Sequence, residues 1–155
     1  MESTSFLSRE DFTGVIRNSP LIAIDLIVKN SRGEVLLGFR NNSPARNTWF
    51  VPGGRIRKNE TIEKAFQRIT GDELGQVLQL TDSQFYGIFE HFYPGENTFD
   101  EPGLDTHYIN LAYEIRNFDE TNLNLRHQHT GFRWMTVEQV LTDRGVHQNA
   151  RLYFK

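Results

Sequence analysis

One segment of this chain, 53–75 (GGRIRKNETIEKAFQRITGDELG), constrains the fold more than any other. It predicts a helix over Thr61–Leu74, with Thr61 as the N-cap and Gly75 as the residue that stops it. On a helical wheel one face carries an apolar stripe, formed by Ile62, Ala65, Phe66 and Ile69. Glu73 falls near the centre of that stripe, so the pattern aims a carboxylate at the core.

Glu73 is unfavourable there for two reasons. A carboxylate facing the core is costly unless it is paired or bound to a metal, and a negative charge in the last helical turn opposes the helix dipole. Either a divalent cation compensates the charge, or the last turn frays and Glu73 reaches water. Gly53 and Gly54 precede the helix and leave two readings as well. Their backbone can approach a ligand closely and offer carbonyl oxygens to a cation, or they form an ordinary tight turn.

The composition excludes several classes of protein. The 155 residues contain no cysteine, which excludes disulfides, thiolate metal sites and a cysteine nucleophile. The net charge of -3, with both signs scattered, does not suggest a nucleic-acid-binding surface. No apolar run is long enough to span a membrane, and the first residues, MESTSFLSREDF, do not resemble a signal peptide. We expect one domain, in the cytoplasm, without membrane or nucleic-acid partners.

The remaining pattern predicts a mixed α/β fold. We expect strands at 20–28, 34–39, 48–51, 85–92, 108–115 and 132–135. The first two are expected to form a hairpin around the turn at 30–33. Thr136 and Gln139 predict a capping box that opens another helix, and 145–154 is a candidate for one more. Strands and helices do not alternate regularly, which favours a mixed sheet between helices over a doubly wound fold.

The segment 53–75 resembles the Nudix box, G-x5-E-x7-R-E-U-x-E-E-x-G-U, where U is aliphatic. The spacing is matched by Gly54, Glu60, Arg68, Glu73 and Gly75. The sequence departs from the box at Ile69, Thr70, Asp72 and Gln76. Such boxes crowd carboxylates around Mg²⁺ and often supply the base for attack at phosphorus. Here that base and most of the ligands are replaced.

This defect is similar to that of one divergent family, the GDP-mannose mannosyl hydrolases. The matching stretches are FLSREDF, PLIAIDLIVKNSRGEVLLGFR, WFVPGGRIRKNET, FQRIT-x-x-ELG, QFYGIFEHFY, THY and NARLYF. The resemblance implies a single Nudix domain over 1–155, with a mixed β-sheet sandwiched between helices. It also implies Mg²⁺-dependent hydrolysis of GDP-mannose, and of GDP-glucose as a further candidate, to GDP and free hexose. Water would attack the anomeric carbon with inversion, and the family is dimeric.

The resemblance also assigns residues to the binding of metal and substrate. It implies one Mg²⁺ per subunit, with Mn²⁺ as a substitute, on the Gly53 carbonyl, Glu73 and Gln128. Three arginines would neutralise the diphosphate: Arg40, Arg55 and Arg68, the first two also acting in catalysis. Asp25, in the middle of an apolar strand, is assigned to the sugar. Pairing of Asp25 with a nearby arginine is the alternative, since either partner would offset the cost of its burial.

The resemblance makes His129 the general base, and an imidazole suits proton acceptance near neutral pH. His127 lies two residues earlier and remains the alternative, although Gln128-His129 keeps the family's order. Tyr108 is expected to orient the base and His91 to contact the diphosphate. The two other histidines, His107 and His147, are expected to be structural.

Two segments and two functions remain open at this point. The loop 93–105 (YPGENTFDEPGLD) is either a lid over the sugar or a disordered surface loop. Phe6 and Phe12 either stack on guanine or pack in the core. The alternatives to glycosyl hydrolysis are a standard Nudix pyrophosphatase, which releases GMP and sugar 1-phosphate, and a non-catalytic module that binds nucleotide sugars.

Overall fold

The computed structural model describes residues 6–123 and 129–155. Four α-helices lie within these ranges: α1 (Arg9–Asn18), α2 (Ile62–Leu74), α3 (Val137–Thr142) and α4 (Gln148–Arg151). The strands are β1 (Leu21–Val28), β2 (Val35–Arg40), β3 (Trp49–Phe50), β4 (Gly53–Arg55), β5 (Gln84–Tyr93), β6 (Thr106–Ile115) and β7 (His129–Met135). Short 3₁₀ turns occupy Leu80–Asp82, Glu120–Asn122 and Leu152–Phe154. No helix in the described ranges has the length and hydropathy needed to cross a membrane.

The strands form two sheets. One has the order β4-β1-β6-β5, with β1 and β6 parallel and the other pairs antiparallel. The second has the order β3-β2-β7 and is antiparallel. Apolar side chains pack on both sides of β1 and β2, against α2 on one side and against α3 and α4 on the other. The predicted mixed sheet between helices is therefore confirmed.

The predicted hairpin of the first two strands is wrong. β1 and β2 lie in different sheets and share only an isolated bridge between Lys29 and Val35. The reason is that both edges of β1 are occupied, by β4 and β6, while β3 and β7 occupy those of β2. The turn at 30–33 is nonetheless present, with Gly33 at a φ of 75° and its N–H bonded to the Asn30 carbonyl.

Helix α2 has the predicted bounds and caps. The Thr61 side chain accepts a hydrogen bond from the Lys64 N–H at 3.1 Å. Gly75 adopts a left-handed conformation at φ 72° and donates its N–H to the Gly71 carbonyl. The last turn does not fray, because Leu74 is fully buried and Glu73 is only 4% exposed. The alternative prediction, in which the last turn frays and Glu73 reaches water, is therefore wrong.

Helix α1 was not expected from the sequence. Its N-cap is Ser8, whose side chain accepts a hydrogen bond from the Asp11 N–H at 3.1 Å. The segment contains Thr13, Gly14 and Val15, which weaken helix propensity. The helix nevertheless forms because it packs against the rest of the fold through Ile16, which is buried.

The loop 93–105 is built around one buried asparagine. The Asn97 amide donates to the carbonyls of Glu101 and Leu104, both at 2.9 Å. Its oxygen accepts from the N–H groups of Phe99 and Glu101. These bonds hold the loop in a defined conformation at the wall of the cavity. The alternative prediction of a disordered surface loop is therefore wrong. It brings Thr98 and Phe99 to the cavity described below.

Candidate active site

A cavity of about 670 Å³ opens between β1, β4, the end of α2 and the loop 93–105. Seven residues predicted from the sequence line it together: Asp25, Arg40, Gly53, Arg55, Arg68, Glu73 and Tyr108. Their chain positions are far apart, so the fold has brought one predicted site into one place. Phe6 and Phe12, the candidates for stacking, also line this cavity.

The register of β1 and β4 explains why Gly53 must be a glycine. Gly53 lies opposite Asp25, between backbone bonds that join Leu26 to Pro52 and Ile56 to Ile22. In this non-hydrogen-bonded position the two residues approach closely. A Cβ on Gly53 would lie 2.2 Å from Oδ1 of Asp25. The glycine thus permits close approach and is more than an ordinary turn residue.

In this position the N–H and C=O groups of Gly53 point away from β1. Because β4 is the edge strand, no further strand of the described sheet binds these groups. The Gly53 N–H donates to Oε1 of Glu73 at 3.2 Å. Glu73 and the Gly53 backbone therefore meet at the edge of the cavity. In this way the last turn of α2 is tied to the strand that precedes it.

These groups fit a hard divalent cation in their chemistry. Carboxylate and carbonyl oxygens are the donors that Mg²⁺ takes in proteins, and the missing side chain of Gly53 leaves its backbone accessible. The described residues contain no cluster of three His, Cys, Asp or Glu side chains that could hold a metal alone. Further donors must therefore come from elsewhere. Gln128, the third expected ligand, lies outside the described residues.

Asp25 forms the floor of the cavity. It is 6% exposed, and its carboxylate accepts hydrogen bonds from the Tyr153 hydroxyl and from Nδ2 of Asn110, the latter at 3.0 Å. Burial raises its pKa to about 7, against which the Tyr153 hydrogen bond and the charge of Arg40 act. Its hydrogen-bond partners among the described residues are neutral, so the alternative in which Asp25 pairs with an arginine is not found in this part of the chain.

Arg68 has a different environment from the other arginines of the cavity. Its Nε and Nη2 atoms bind the two oxygens of Glu60, both at 2.8 Å, and Nη2 also donates to the Arg55 carbonyl at 2.8 Å. The hydrogen bond from Arg68 is the main cause that lowers the pKa of Glu60. Arg68 therefore joins α2 to β4 through bonds within the protein, whatever it contributes to substrate binding.

The cationic wall consists of arginines held by neighbouring groups. Arg40 donates from Nε to the Pro44 carbonyl at 2.9 Å. The Arg55 guanidinium lies 4.3 Å from the ring centre of Phe12, and that of Arg57 lies 4.2 Å from the ring centre of Phe6. Both are within the range of cation–π attraction. The two aromatic residues thus pack on arginines at the wall of the cavity, and Phe12 also packs against the buried cluster of Ile16, Leu21 and Leu104.

Three residues of the cavity and its floor were not predicted from the sequence: Arg57, Asn110 and Tyr153. Arg57 follows Arg55 by two residues and so continues the same face of the chain beyond β4. Asn110 was visible as a polar residue within the alternating pattern of 108–115. Nothing in the local sequence of Tyr153 indicates that it contacts Asp25, 128 positions away.

Three histidines pack against aromatic rings of the fold: His91, His107 and His147. His91 is 1% exposed and does not line the cavity. Burial lowers its pKa to about 4, so it is neutral at physiological pH. This placement does not bring it to the expected diphosphate position. His107 stacks on Phe92, and the His147 ring accepts the Asn149 N–H at the start of α4.

The backbone of His129, the expected base, lies beside the cavity. His129 begins β7 and pairs with Arg40 of β2, beyond a register shift that starts at Gly38. Arg40 in turn lines the cavity. His127, the alternative base, lies outside the described residues.

The geometry is that of a Nudix hydrolase, and the comparison with protein families agrees. The model of the NUDIX domain matches residues 19–155, so the chain belongs to the Nudix family. Among curated relatives it is similar to the low-salt glycan biosynthesis protein Agl8 of Haloferax volcanii. The identity is 41% over 128 residues, which cover 82% of this chain and 78% of that protein.

Solved structures share the fold at low sequence identity. The MutT protein from Methanosarcina mazei Go1 aligns with a TM-score of 0.69 and 18% identity, over 88% of this chain and 92% of that one. The NUDIX domain of Shewanella oneidensis NrtR, solved with ADP ribose, aligns with a TM-score of 0.63 and 14% identity, over 95% of each chain. At these identities the likeness establishes the fold alone.

Proposed function

We propose that this Nudix hydrolase converts GDP-mannose, with GDP-glucose as a second candidate, to GDP and free hexose. Water attacks the anomeric carbon and inverts it. The observation that carries the proposal is the replacement of the catalytic glutamate of the box on α2, whereas Asp72 and Glu73 of the same helix still line the cavity. Ile69 stands where the box has its catalytic glutamate, and it is 1% exposed and packed against Gly54. Glu60 is engaged by Arg68.

A cavity lined by four arginines and three carboxylates, without the catalytic glutamate of the box, suits departure of GDP better than attack at phosphorus. GDP is already a good leaving group, and it needs stabilisation of its developing negative charge. Arg40 and Arg55 line the cavity and supply that charge. A divalent cation, Mg²⁺ with Mn²⁺ as a substitute, would be held by Glu73, the Gly53 carbonyl and Gln128 and would neutralise the diphosphate.

The floor of the cavity offers oxygen atoms in place of arginines, and such groups suit the sugar. Asp25 and Tyr108 offer oxygen atoms with raised pKa values, in both cases chiefly because of burial. Such groups exchange hydrogen bonds with hydroxyls and repel phosphate less than a fully charged carboxylate would. The relative in Haloferax volcanii is a glycan biosynthesis protein, which supports a nucleotide sugar as the substrate class.

His129 is proposed as the general base, with its backbone next to Arg40. Removing a general base typically costs 10²–10⁴-fold in rate. We expect His129→Gln to lower kcat by about 10³-fold, with His127→Gln as the matched control that loses less than tenfold. Steady-state kinetics on both variants checks this. A larger loss in His127→Gln would transfer the role to His127.

Product identity tests the function. Incubation with GDP-mannose and Mg²⁺, followed by ³¹P NMR, should show GDP as the phosphorus-containing product. GMP with mannose 1-phosphate would instead establish the standard pyrophosphatase. Binding of GDP-mannose without turnover would establish the non-catalytic module.

The quaternary structure and the location of the protein are parts of the same proposal. We infer a cytoplasmic homodimer from the family resemblance. Exposed apolar side chains on β5, an edge strand, are compatible with contact between subunits: Phe85, Ile88 and Phe92. Light scattering of the purified protein measures the oligomeric state, and a monomer would contradict the homodimer.

A further inference from the structure

The amide oxygen of Asn110 is a buried acceptor that has no hydrogen-bond partner among residues 6–123 and 129–155. Asn110 is 4% exposed and lines the cavity. Within the described ranges its Oδ1 atom has no hydrogen-bond partner, although its Nδ2 atom donates to Asp25. An unsatisfied buried polar atom destabilises the folded state, and such atoms are rare enough in folded proteins to require an explanation.

The strands fix the orientation of this amide. β1 and β6 are parallel, with Asn110 opposite Ala23, so Asn110 lies close to Asp25 on the adjacent strand. Oδ2 of Asp25 accepts hydrogen bonds from both Nδ2 of Asn110 and the Tyr153 hydroxyl. Since the nitrogen of the amide must face this oxygen, Oδ1 of Asn110 is the atom left to meet a ligand.

The chemistry of the ligand follows from that of the acceptor. A carbonyl oxygen beside a carboxyl group repels a phosphate oxygen and attracts an O–H or N–H donor. The phosphate-binding arginines, Arg40 and Arg55, supply the opposite character on another wall of the same cavity. A substrate with an anionic part and a neutral, hydroxyl-rich part therefore places its hydroxyls at Asn110.

We propose that Oδ1 of Asn110 accepts a hydrogen bond from one hydroxyl group of the hexose, which makes Asn110 a specificity-determining residue for the sugar. This inference rests on the proposed function and extends it to a residue of the cavity floor. A substrate without that hydroxyl leaves the acceptor unsatisfied in the complex. Sites built to bind a hydroxyl reject analogues that lack it far more strongly than sites that only measure size.

A cycle of variants and substrates tests the proposal. We would measure kcat/KM for the wild type and for Asn110→Leu with GDP-mannose and with its 2-, 3-, 4- and 6-deoxymannose analogues. The wild type should lose about 10–100-fold on one analogue, the value of one hydrogen bond to a buried acceptor. Asn110→Leu should treat that analogue and GDP-mannose alike, within about threefold. Asn110→Ala replaces Asn110→Leu if the latter does not fold.

Tyr153→Phe is the matched control. It removes the other hydrogen bond to Asp25 and leaves the amide of Asn110 in place. If Asn110 acted only through Asp25, both variants would change discrimination equally. The proposal predicts that Tyr153→Phe keeps the wild-type preference against the same deoxy analogue, whatever its effect on kcat.

Three results would overturn the inference, and they are distinguishable. Turnover of GDP-mannose without any coupling between Asn110 and a sugar hydroxyl would overturn the role of Asn110 alone. IDP-mannose lacks the guanine amino group. If Asn110→Leu removes the wild-type preference for GDP-mannose over IDP-mannose, the amide oxygen binds the base and not the sugar. Absence of turnover with every GDP-hexose would remove the proposed function, and the sugar role of Asn110 with it.

Discussion

Glu60 and Asp25 are both buried carboxylates near the cavity, and their surroundings are opposite. The side chain of Glu60 is 3% exposed, and Asp25 is 6% exposed. Glu60 is bound by both nitrogens of the Arg68 fork and by the Arg57 N–H at 2.7 Å. Its pKa is lowered, chiefly by the hydrogen bond from Arg68. Asp25 has only neutral donors among the described residues, and burial raises its pKa to about 7.

The difference separates a carboxylate whose charge is compensated within the fold from one whose charge is compensated only in part. The partners of Glu60 are all within the protein, so its charge is compensated before any substrate binds. The charge of Asp25 is compensated only in part, and its neighbour Asn110 has an acceptor with no partner in the described chain. Strongly perturbed groups of this kind concentrate at functional sites. Motif spacing alone shows Glu60 and says nothing about this contrast.

The largest expected effect is on catalysis at Asp25. Asp25→Asn retains the shape of the side chain and removes its ability to carry charge. We expect kcat/KM for GDP-mannose to fall by about 10³-fold, comparable with the loss of a key polar group in other active sites. Steady-state kinetics with thermal unfolding as the folding control checks this. A loss below tenfold would remove Asp25 from the site.

The next effect is on stability at Glu60. Glu60→Gln breaks a bidentate pair, and the loss of one partner from a buried pair costs about 3–5 kcal/mol. Arg68 is 23% exposed, so we expect the lower end, about 3 kcal/mol. Urea denaturation measures it, with the exposed Glu63→Gln, in the first turn of α2, as the matched control. If Glu60→Gln keeps its stability and loses activity, the two carboxylates do not differ as described.

The pH dependence of stability should reveal two buried groups whose contributions change with pH in opposite directions. The pKa of Asp25 is raised from 3.8 to about 7, so the folded state keeps the proton longer than the unfolded chain. Its contribution to stability therefore falls as pH rises from about 4 to 7. The pKa of His91 is lowered from 6.5 to about 4, so its contribution rises with pH over nearly the same range. In the wild type the two slopes largely cancel.

Single variants separate these slopes. Asp25→Asn should leave the His91 slope, with a gain of about 2 kcal/mol in the free energy of unfolding between pH 5 and pH 6.5. His91→Phe should leave the Asp25 slope, with a loss of similar size over that interval. Urea midpoints at several pH values measure both. Slopes of equal sign in the two variants would contradict the assignment.

The smallest effect is expected at Asp72. It lies four residues after Arg68 with an N–O distance of 3.9 Å, and its side chain is 59% exposed. Exposed pairs of this type contribute about 0.3–0.5 kcal/mol. Asp72→Asn should therefore change stability by less than about 0.5 kcal/mol and kcat/KM by less than threefold. A large kinetic loss would show that the cation site includes Asp72.

Much of the fold could be predicted because its signals are local. The bounds of α2 followed from Thr61 and Gly75, and its apolar stripe aimed Glu73 at the core; the structure decided between the two open alternatives by burying it. The pairing of β1 could not be predicted, since a run of buried residues does not show which strands take its two edges. Helix α1 was missed because its internal propensity is weak and its stability comes from packing.

The site shows the same division. Residues within or beside a spaced motif were found, among them Gly53 and Glu73, and the structure brings them together. The contacts of Asp25 with Asn110 and Tyr153 join strands and a chain end that are 85 and 128 positions apart. No local pattern encodes such contacts. The placement of His91 in the core likewise depends on rings from distant segments, Phe50 and Tyr153.

The position of the bond that breaks is the decisive evidence for attack of water at the anomeric carbon. Hydrolysis of GDP-mannose with Mg²⁺ in ¹⁸O-labelled water places one labelled oxygen in the products, and mass spectrometry locates it. We expect label in free mannose and unlabelled GDP, because water attacks the anomeric carbon. Label in GDP, GMP or mannose 1-phosphate would show attack at phosphorus and contradict this expectation.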